Sequence, residues 1–380
     1  MALPIDFELA PFGLPGILSA PAASERPSAS ETPSRPEETS ARLRDSHGRV
    51  ITDLRLSVTD RCNYRCVYCR TGNDGVFAEL PIADYARMLR IFVSLGIEKI
   101  RFTGGEPLLR KGLLDLVRST AELRPAFGED RLDLALTTNG HLLAELAQPL
   151  KDAGLTRMTV SMDAVDPATF TRITRVPGGF ERVRDGIRAA QAAGFGPVKV
   201  NCVLLRGFND DQIEAFAEFS REEGVIVRFI EFMPLEESGD SGDADALSRA
   251  WSPQAVVPMS EILARLNRVL PVVPLEANHL SETARRFTFA DGRGEIGIIA
   301  PVTQPFCGHC SRIRLTSDGK VRTCLFSQSD HDLVGRMHRG ASDEDLSVWI
   351  RRIVNGKEAR HHIGEPGFLK PSRSMVHIGG

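Results

Sequence analysis

Three cysteines lie within eight residues of this chain, in the stretch CNYRCVYC at Cys62, Cys66 and Cys69. The spacing is C-x3-C-x2-C, and no fourth cysteine or histidine follows nearby. Thiolates this close cannot all face one metal from a regular strand or helix, so they require a loop wrapped around the metal. Two kinds of site are compatible with three ligands: a structural zinc ion with a remote fourth ligand, or an iron–sulfur cubane with one iron open to a small molecule.

A second group of three cysteines lies near the end of the chain. Its members are Cys307, Cys310 and Cys324. A zinc knuckle that adds His309 is one interpretation, and a second cubane is the other. Arg312 and Arg314, which begin two residues after Cys310, point to the same side of a predicted strand, where their guanidinium groups can bind purine acceptors or phosphate oxygens. The seventh cysteine, Cys202, lies alone in an apolar run and is predicted to be buried.

The surrounding strands and helices must position these residues. From about residue 50 the chain alternates β-branched runs, which are typical of strands, with amphipathic stretches, which are typical of helices. The predicted strands are Leu54–Val58, Ile100–Thr103, Leu134–Thr137, Met158–Met162, Val198–Leu204 and Ile226–Glu231. The predicted helices are Ala83–Gly96 and Asp211–Gly224, with others near Ser260–Leu270 and Glu344–Val354. This alternation predicts a parallel sheet with right-handed crossovers, as an open doubly wound sheet or as most of a (β/α) barrel.

The reactive loops of both folds gather at the C-terminal ends of the strands. The predicted strands are followed there by TDRC, TGGEP, TTNG, SMDA, LLRGFND and FMP, all rich in polar and turn-forming residues. Arg55, Arg101 and Lys199 lie inside predicted strands. A charged residue at such a position is costly unless it is paired, so these three are candidate phosphate or ribose ligands.

The chain divides by composition into three predicted regions. Residues 1–45 contain seven prolines, six serines and two aromatics, which predicts a disordered extension. Residues 46–270 carry the strand and helix alternation, apart from an acidic loop at 236–252. Residues 271–380 contain two hairpin patterns, FTFADGRGEIGIIAP and RIRLTSDGKVRTCLF, and are expected to form a smaller unit on the barrel mouth.

The overall composition excludes several classes of protein. Lysine plus arginine (47) nearly balances aspartate plus glutamate (50), which argues against a nucleic-acid partner. No apolar run reaches membrane-spanning length, and Asp6 and Glu8 stand where a signal peptide would be basic. The odd number of clustered cysteines argues against a disulfide framework, so we expect a cytoplasmic metal or redox enzyme.

CNYRCVYC resembles the C-x3-C-x-aromatic-C motif of the radical S-adenosylmethionine superfamily. The resemblance implies that three cysteines hold a [4Fe-4S] cluster and that S-adenosylmethionine chelates its fourth iron. Reduction then cleaves S-adenosylmethionine to methionine and a 5′-deoxyadenosyl radical. GGEP at residues 104–107 is similar to the loop that binds the methionine amino group in this superfamily. The residues implied for S-adenosylmethionine are Tyr68, Gly105, Ser161 and Met233.

FCGHCSRIRLTSDGKVRTCLF resembles the C-terminal motif of one branch, the GTP 3′,8-cyclases of molybdenum cofactor biosynthesis. This resemblance implies an incomplete (β/α)6 barrel, a second [4Fe-4S] cluster on the second cysteine set, and guanine binding at its open iron. The residues implied for GTP are Arg55, Arg101, Thr137, Lys199, Arg312, Ile313 and Arg314. The terminal Gly379 and Gly380 match a tail that enters the active site, and together with Arg55, Arg312 and Arg314 they form the implied catalytic set.

The implied reaction converts GTP to 3′,8-cyclo-7,8-dihydro-GTP. Its implied partners are an electron donor of flavodoxin or ferredoxin type and a downstream cyclic pyranopterin monophosphate synthase. Arg70 and Thr71 depart from the Met-Pro that many relatives have after the third cysteine. Two alternatives remain: a radical peptide maturase with an auxiliary cluster, and a zinc-dependent binding protein. The sequence does not fix the oligomeric state, and a homodimer is compatible with it.

Overall fold

Six parallel strands form the centre of the protein. The computed structural model describes residues 42–69, 79–235, 251–371 and 373–379. The strands are neighbours in chain order, namely β1 (Asp53–Ser57), β2 (Lys99–Thr103), β3 (Asp133–Thr138), β4 (Arg157–Ser161), β5 (Lys199–Leu204) and β6 (Ile226–Glu231). Every predicted strand is confirmed, with bounds that agree to within one residue.

Helices connect these strands and cover the sheet. They are α1 (Ile82–Ser94), α2 (Leu113–Ala121), α3 (Leu143–Asp152), α4 (Pro167–Thr174), α5 (Gly179–Ala192), α6 (Ile213–Glu223), α7 (Met259–Val269), α8 (Leu333–His338), α9 (Asp343–Asn355) and α10 (Met375–Ile378). The four helices predicted from apolar spacing are confirmed as α1, α6, α7 and α9. Gly224 ends α6 in the left-handed conformation that a residue with a side chain avoids.

The two faces of the strands have different chemistry. In β1, Leu54 and Leu56 are fully buried in the apolar core, and Asp53, Arg55 and Ser57 alternate with them on the opposite face. The other strands of the set keep this alternation, so polar and charged side chains line the interior while apolar ones pack under the helices. The strand order and the crossover helices are those of the predicted incomplete (β/α)6 barrel.

The C-terminal strands extend the same sheet at both edges. They are β7 (Val272–Leu275), β8 (Arg285–Phe289), β9 (Glu295–Ile299), β10 (Arg312–Leu315), β11 (Lys320–Arg322) and β12 (His331–Asp332). β8–β9 and β10–β11 are the two predicted hairpins. β10 pairs in parallel with β1 and β9 with β6, which continues a sheet of twelve strands. This pairing satisfies backbone groups that open sheet edges would expose. The division of the chain near residue 270 stays a prediction.

The segment before β1 belongs to the folded part. Leu43 is fully buried and Asp45 is 5% exposed. Residues 42–45, which the sequence assigned to the disordered extension, are therefore part of the folded structure. Residues 1–41 and most of the acidic loop at 236–252 lie outside the described residues. Of that loop, the structure describes Trp251 and Ser252. Within the described ranges, no helix combines the length and the apolar character that crossing a membrane requires.

Candidate active site

The first cysteine loop leaves the C-terminal end of β1 and packs directly against the loop after β2. The Gly105 N–H donates a 2.8 Å hydrogen bond to the Thr59 carbonyl, and the Glu106 N–H donates a 2.7 Å bond to the Arg61 carbonyl. A Cβ atom at Gly105 would lie 2.4 Å from the Arg61 carbonyl oxygen, and one at Gly104 would lie 2.5 Å from that of Thr59. The two glycines of TGGEP are therefore required by this close backbone approach.

The carboxylate of Glu106 joins these two loops to the loop after β3. It accepts hydrogen bonds from the Leu108 N–H (2.9 Å), the Thr138 hydroxyl (2.7 Å) and the Asn139 N–H (2.7 Å). Burial raises the pKa of Glu106 to about 7, although these donors favour its ionised form. The Asn139 side-chain amide donates in turn to Asn63 Oδ1 at 2.7 Å, so the ends of three strands are linked around the cysteine loop.

Tyr68 is held by a second buried carboxylate. Its hydroxyl donates a 2.7 Å hydrogen bond to Asp163, which also accepts a 2.8 Å bond from the Val203 N–H. The Asn209 side chain donates to the Asp163 carbonyl at 2.7 Å. This network ties the cysteine loop to the ends of β4 and β5. Sequence reasoning missed Asp163 and Asn209, whose only signal was their place in the SMDA and LLRGFND loops.

The other residues implied for S-adenosylmethionine lie in different parts of the site. Ser161 is the last residue of β4 and pairs with Asn201 of β5, on the interior face. Met233 and Cys324 both pack against a small buried apolar cluster. That cluster consists of Leu235, Phe326 and Ile363. Met233 is thus associated with the region of the second cysteine set, while Tyr68 and Gly105 lie in the two loops around the first.

The first cysteine set fits an iron–sulfur cluster by its donor chemistry. Its three thiols are partly exposed, and Cys62 Sγ accepts a 3.4 Å hydrogen bond from the Tyr64 N–H. Burial, followed by repulsion from Cys69, raises the pKa of Cys66 well above its usual value. Iron ions would relieve both effects by binding the thiolate form.

No three His, Cys, Asp or Glu side chains of the described chain converge on one point where a single metal ion would bind. Thiolates that each bind a different iron of one cubane do not require such a point.

The second cysteine set begins in a short helical turn, Cys307–His309, where the Cys310 N–H donates a 3.1 Å bond to the Cys307 carbonyl. Burial acts to raise the pKa of the Cys310 thiol, but Arg312 and Lys357 outweigh it and lower that pKa to about 7. A thiol that ionises this readily is a suitable metal ligand. His309, the alternative zinc ligand, is exposed to solvent.

The two cysteine sets lie at opposite ends of β1. Cys62 follows the C-terminal end of that strand, whereas Cys310 precedes Arg312, which pairs with Asp53 at the beginning of β1. A five-residue strand spans roughly 13–17 Å. The interior between the two sets is therefore long enough for an extended ligand that contacts both.

Three arginines form a row across that interior. Arg314 of β10, Arg55 of β1 and Arg101 of β2 are neighbours in register. Burial, followed by repulsion from other arginines, lowers the pKa of Arg55 to about 10 and that of Arg101 to about 9. Arg101 donates 3.1 Å hydrogen bonds to the hydroxyls of Thr137 and Thr159, so the predicted Thr137 is held beside it.

Lys199 and Arg228 lie on β5 and β6. Burial, and then the charge of Arg228, lowers the pKa of Lys199 to about 8. Lys199 also lines a cavity of about 250 Å³ together with Thr159. The buried Asn201 Oδ1 has no hydrogen-bond partner in the described part of the chain. Sequence reasoning missed Arg228, for which alternation along β6 was the signal. Alternation in the sequence also puts Asn201 on the same face as Lys199, but Asn201 was not among the predicted site residues.

The C-terminal tail reaches the same interior. Gly379 lies between the ends of β1 and β2, and the Arg314 guanidinium donates a hydrogen bond to its carbonyl. Its φ is +80°, and a Cβ atom there would lie 2.4 Å from Thr103 Oγ1 and 3.2 Å from Ser57 Cβ. The tail position implied by the resemblance thus has a counterpart in the structure, and it requires glycine for both conformation and space.

Not every predicted site residue is available for binding through its side chain. Ile313 is fully buried in the apolar core, on the face of β10 opposite Arg312 and Arg314, so only its backbone is available. Cys202 is fully buried, as predicted. Gly380 and the departure at residues 70–71 lie outside the described residues.

Two family models match the chain in succession. Residues 56–220 match the radical SAM superfamily, and residues 225–363 match the model described as molybdenum cofactor synthesis C. The GTP 3′,8-cyclase of Acidothermus cellulolyticus is 48% identical over 335 residues, which is 84% of this chain and 88% of that protein. The chain belongs to the GTP 3′,8-cyclase family. The family member from Moorella thermoacetica is 41% identical over 89% of this chain and 100% of its own length.

Solved structures support the fold of this cyclase-family chain. The crystal structure of Streptococcus suis SuiB bound to the precursor peptide SuiA has a TM-score of 0.58 and 15% sequence identity. The similarity covers 82% of this chain and 67% of SuiB. At this level of identity the likeness concerns the fold alone.

Proposed function

We propose that this protein is a GTP 3′,8-cyclase of molybdenum cofactor biosynthesis, a radical S-adenosylmethionine enzyme that uses two [4Fe-4S] clusters. The observation that carries the proposal beyond family membership is the charged interior. Arg55, Lys199 and Arg228 are partly buried on the interior face, and within the described ranges none of them forms a hydrogen bond or an ion pair. Unpaired buried cations are costly, so a polyanionic ligand such as a nucleoside triphosphate is their fitting partner.

We assign the cofactors to the cysteine loops on their donor chemistry. Cys62, Cys66 and Cys69 would hold the first cluster, which would bind S-adenosylmethionine. The second cluster would be held by Cys307, Cys310 and Cys324. When bound and reduced, the first cluster and S-adenosylmethionine supply the radical that removes a hydrogen atom from C3′ of the GTP ribose.

The residues of the interior would bind and orient GTP between the two cysteine sets. The guanidinium group of Arg312 is beside the second set, where it can bind the guanine or a phosphate in bidentate fashion. The Arg314 guanidinium would hold the Gly379 carbonyl against the ligand. Arg101 on β2 and Lys199 on β5 line the interior, where they can neutralise phosphate charge. A ligand fixed at both ends keeps its ribose at one position, which is the main contribution that positioning makes to rate.

The other assigned residues would shape the S-adenosylmethionine site and exclude water. Gly105 and Tyr68 lie in the two packed loops, and Ser161 lies at the end of β4. Met233 would provide an apolar side chain. Gly379 fills the gap between Ser57 and Thr103 without a side chain, which closes this end of the interior around a bound ligand.

Family membership also supports a set of partners. We propose that an electron donor of flavodoxin or ferredoxin type reduces the first cluster and that a cyclic pyranopterin monophosphate synthase takes the product. We further propose a cytoplasmic enzyme. A homodimer is compatible with this proposal but is not required by it.

Anaerobic incubation with S-adenosylmethionine and dithionite tests the function. The reconstituted protein should contain about eight irons. It should form 5′-deoxyadenosine and a cyclised nucleotide with GTP, and neither product with ATP or with a peptide. Zinc in place of iron, or 5′-deoxyadenosine that forms equally without GTP, would contradict the proposal.

A further inference from the structure

The segment after α9 braces the backbone before Cys324. Lys357 is 3% exposed, and its ammonium group donates a hydrogen bond to the carbonyl oxygen of Thr323. The neighbouring carboxylate of Glu358 accepts a 2.7 Å hydrogen bond from the Thr323 hydroxyl. Two consecutive side chains therefore hold the residue that precedes the last cysteine of the second set.

The same segment is linked to the first cysteine of that set through Arg49. The Arg49 guanidinium donates hydrogen bonds to the carbonyl oxygens of Cys307 (2.9 Å), Ala359 (2.8 Å) and Glu358 (2.6 Å). Asp45 fixes this guanidinium through a 2.6 Å ion pair. Together with Arg49, residues 357–359 thus connect the segment that carries Cys307 with the segment that carries Cys324.

The charge of Lys357 has no protein counter-ion in the described part of the chain, where it forms no ion pair with a carboxylate. Burying an ammonium group without a partner is costly. Its positive charge is close to the second set, because the ammonium group is hydrogen-bonded to the carbonyl of Thr323, the residue that precedes Cys324. Thiolates on a metal cluster would provide the missing negative charge.

We propose that Lys357 is a positioning residue for the second cluster: it holds the Cys324 segment in place and stabilises the more negative, reduced state of the cluster. The inference rests on the assignment of that cluster to Cys307, Cys310 and Cys324. A cation next to a cluster favours the reduced form and raises its reduction potential. The buried ammonium, which already donates to the Thr323 carbonyl, then has a counter-charge only when the cluster is bound.

Two full-length backgrounds separate this role from a general effect on folding. Replacing Cys62, Cys66 and Cys69 by alanine leaves only the second set, and replacing Cys307, Cys310 and Cys324 by alanine leaves only the first. Each background is combined with Lys357→Met, with Lys357→Arg, and with the control Lys320→Met. Lys320 is a suitable control because it lies in β11, the strand directly before Thr323, and its ammonium has a carboxylate partner, Asp318, at 3.4 Å.

Iron and sulfide per chain and the midpoint potential are measured after identical reconstitution. With only the second set present, Lys357→Met should retain less than half of the parent's iron and shift the remaining potential downward. Lys357→Arg and Lys320→Met should match the parent. With only the first set present, Lys357→Met should change neither quantity. If Lys357→Met does not fold, Lys357→Gln keeps an N–H donor without the charge and should still lower the potential.

Unchanged iron and potential in the second-set background would overturn the role of Lys357, and so would equal losses in both backgrounds. A second-set parent that holds no cluster at all would instead overturn the cluster assignment, because that parent still carries Lys357.

Discussion

The most direct structural prediction concerns the substitution Gly379→Ala. An L-residue at a φ of +80° costs about 1–2 kcal/mol. The new Cβ atom would also lie 2.4 Å from Thr103 Oγ1, and overpacking of this kind costs about 1–3 kcal/mol. Together, about 2–5 kcal/mol opposes docking of the tail. Burial of Val376 and Ile378, at about 1.5–3 kcal/mol each, is of similar size, so a large fraction of the tails should undock.

The assay is the anaerobic rate of GTP-dependent 5′-deoxyadenosine formation, with iron content and the thermal transition measured on the same samples. A loss of about 2 kcal/mol in docking corresponds to roughly a thirtyfold smaller docking constant, and we expect a comparable fall in rate. Iron content should stay near the parent value, because the nearest neighbours of Gly379 are Thr103 and Ser57 and not the cysteine segments. The melting temperature should fall by only a few degrees, because the loss is confined to docking of the tail.

Two further variants test the reasoning. Gly364→Ala is the matched control, because its φ is +82° but no atom lies within 4 Å of the added Cβ. It should retain the parent rate. Thr103→Ala combined with Gly379→Ala removes the clashing oxygen and should recover part of the rate. Full activity of Gly379→Ala, or an equal loss in Gly364→Ala, would refute this account of the tail.

Three other changes follow from the charged interior and from the loop network. Arg228→Met should weaken GTP binding about 10- to 100-fold in a titration at fixed salt, because a buried charged hydrogen bond contributes about 1.5–3 kcal/mol. GTP affinity should fall as pH rises through the Lys199 pKa of about 8, since only the ammonium form attracts phosphate, and Lys199→Arg should flatten the fall. Glu106→Gln should lower the free energy of unfolding by about 1–3 kcal/mol in denaturant titrations, because its amide nitrogen faces donors such as the Asn139 N–H.

Each of these predictions has its own contrary outcome. Arg118→Met, on the exposed surface of α2, is the control for Arg228→Met, and equal GTP affinities for the two variants would remove Arg228 from the site. A GTP affinity that stays constant up to pH 9.5 would show that Lys199 remains protonated or does not meet the ligand. An unaltered unfolding transition of Glu106→Gln would mean that the three hydrogen bonds to the carboxylate contribute nothing net.

Local patterns predicted the barrel well because each strand and helix carries its own signal. The alternation in β1 puts Arg55 on one face and Leu54 on the other whatever the strand pairs with. The cysteine motifs and the TGGEP loop were also visible, since backbone approach at Gly105 demands a residue without a side chain. These features depend on neighbours in the chain and can therefore be read from it.

Features that depend on pairing between distant segments could not be predicted in this way. Nothing in the sequence indicates that β10 joins β1 in parallel, yet that pairing places Arg314 beside Arg55. The link from Arg49 to Cys307 joins residues 258 positions apart. Arg228 was missed because IVRFIE looks like a buried strand until its neighbours show that its face lines a charged interior.

One measurement tests the central claim most directly. GTP deuterated at the ribose 3′ carbon is incubated anaerobically with the reconstituted protein, S-adenosylmethionine and dithionite, and the 5′-deoxyadenosine is analysed by mass spectrometry. We expect one deuterium in the 5′-deoxyadenosine and a cyclised nucleotide that has lost it, in equal amounts. Unlabelled 5′-deoxyadenosine with GTP recovered intact would contradict the assignment of GTP as the substrate of this site.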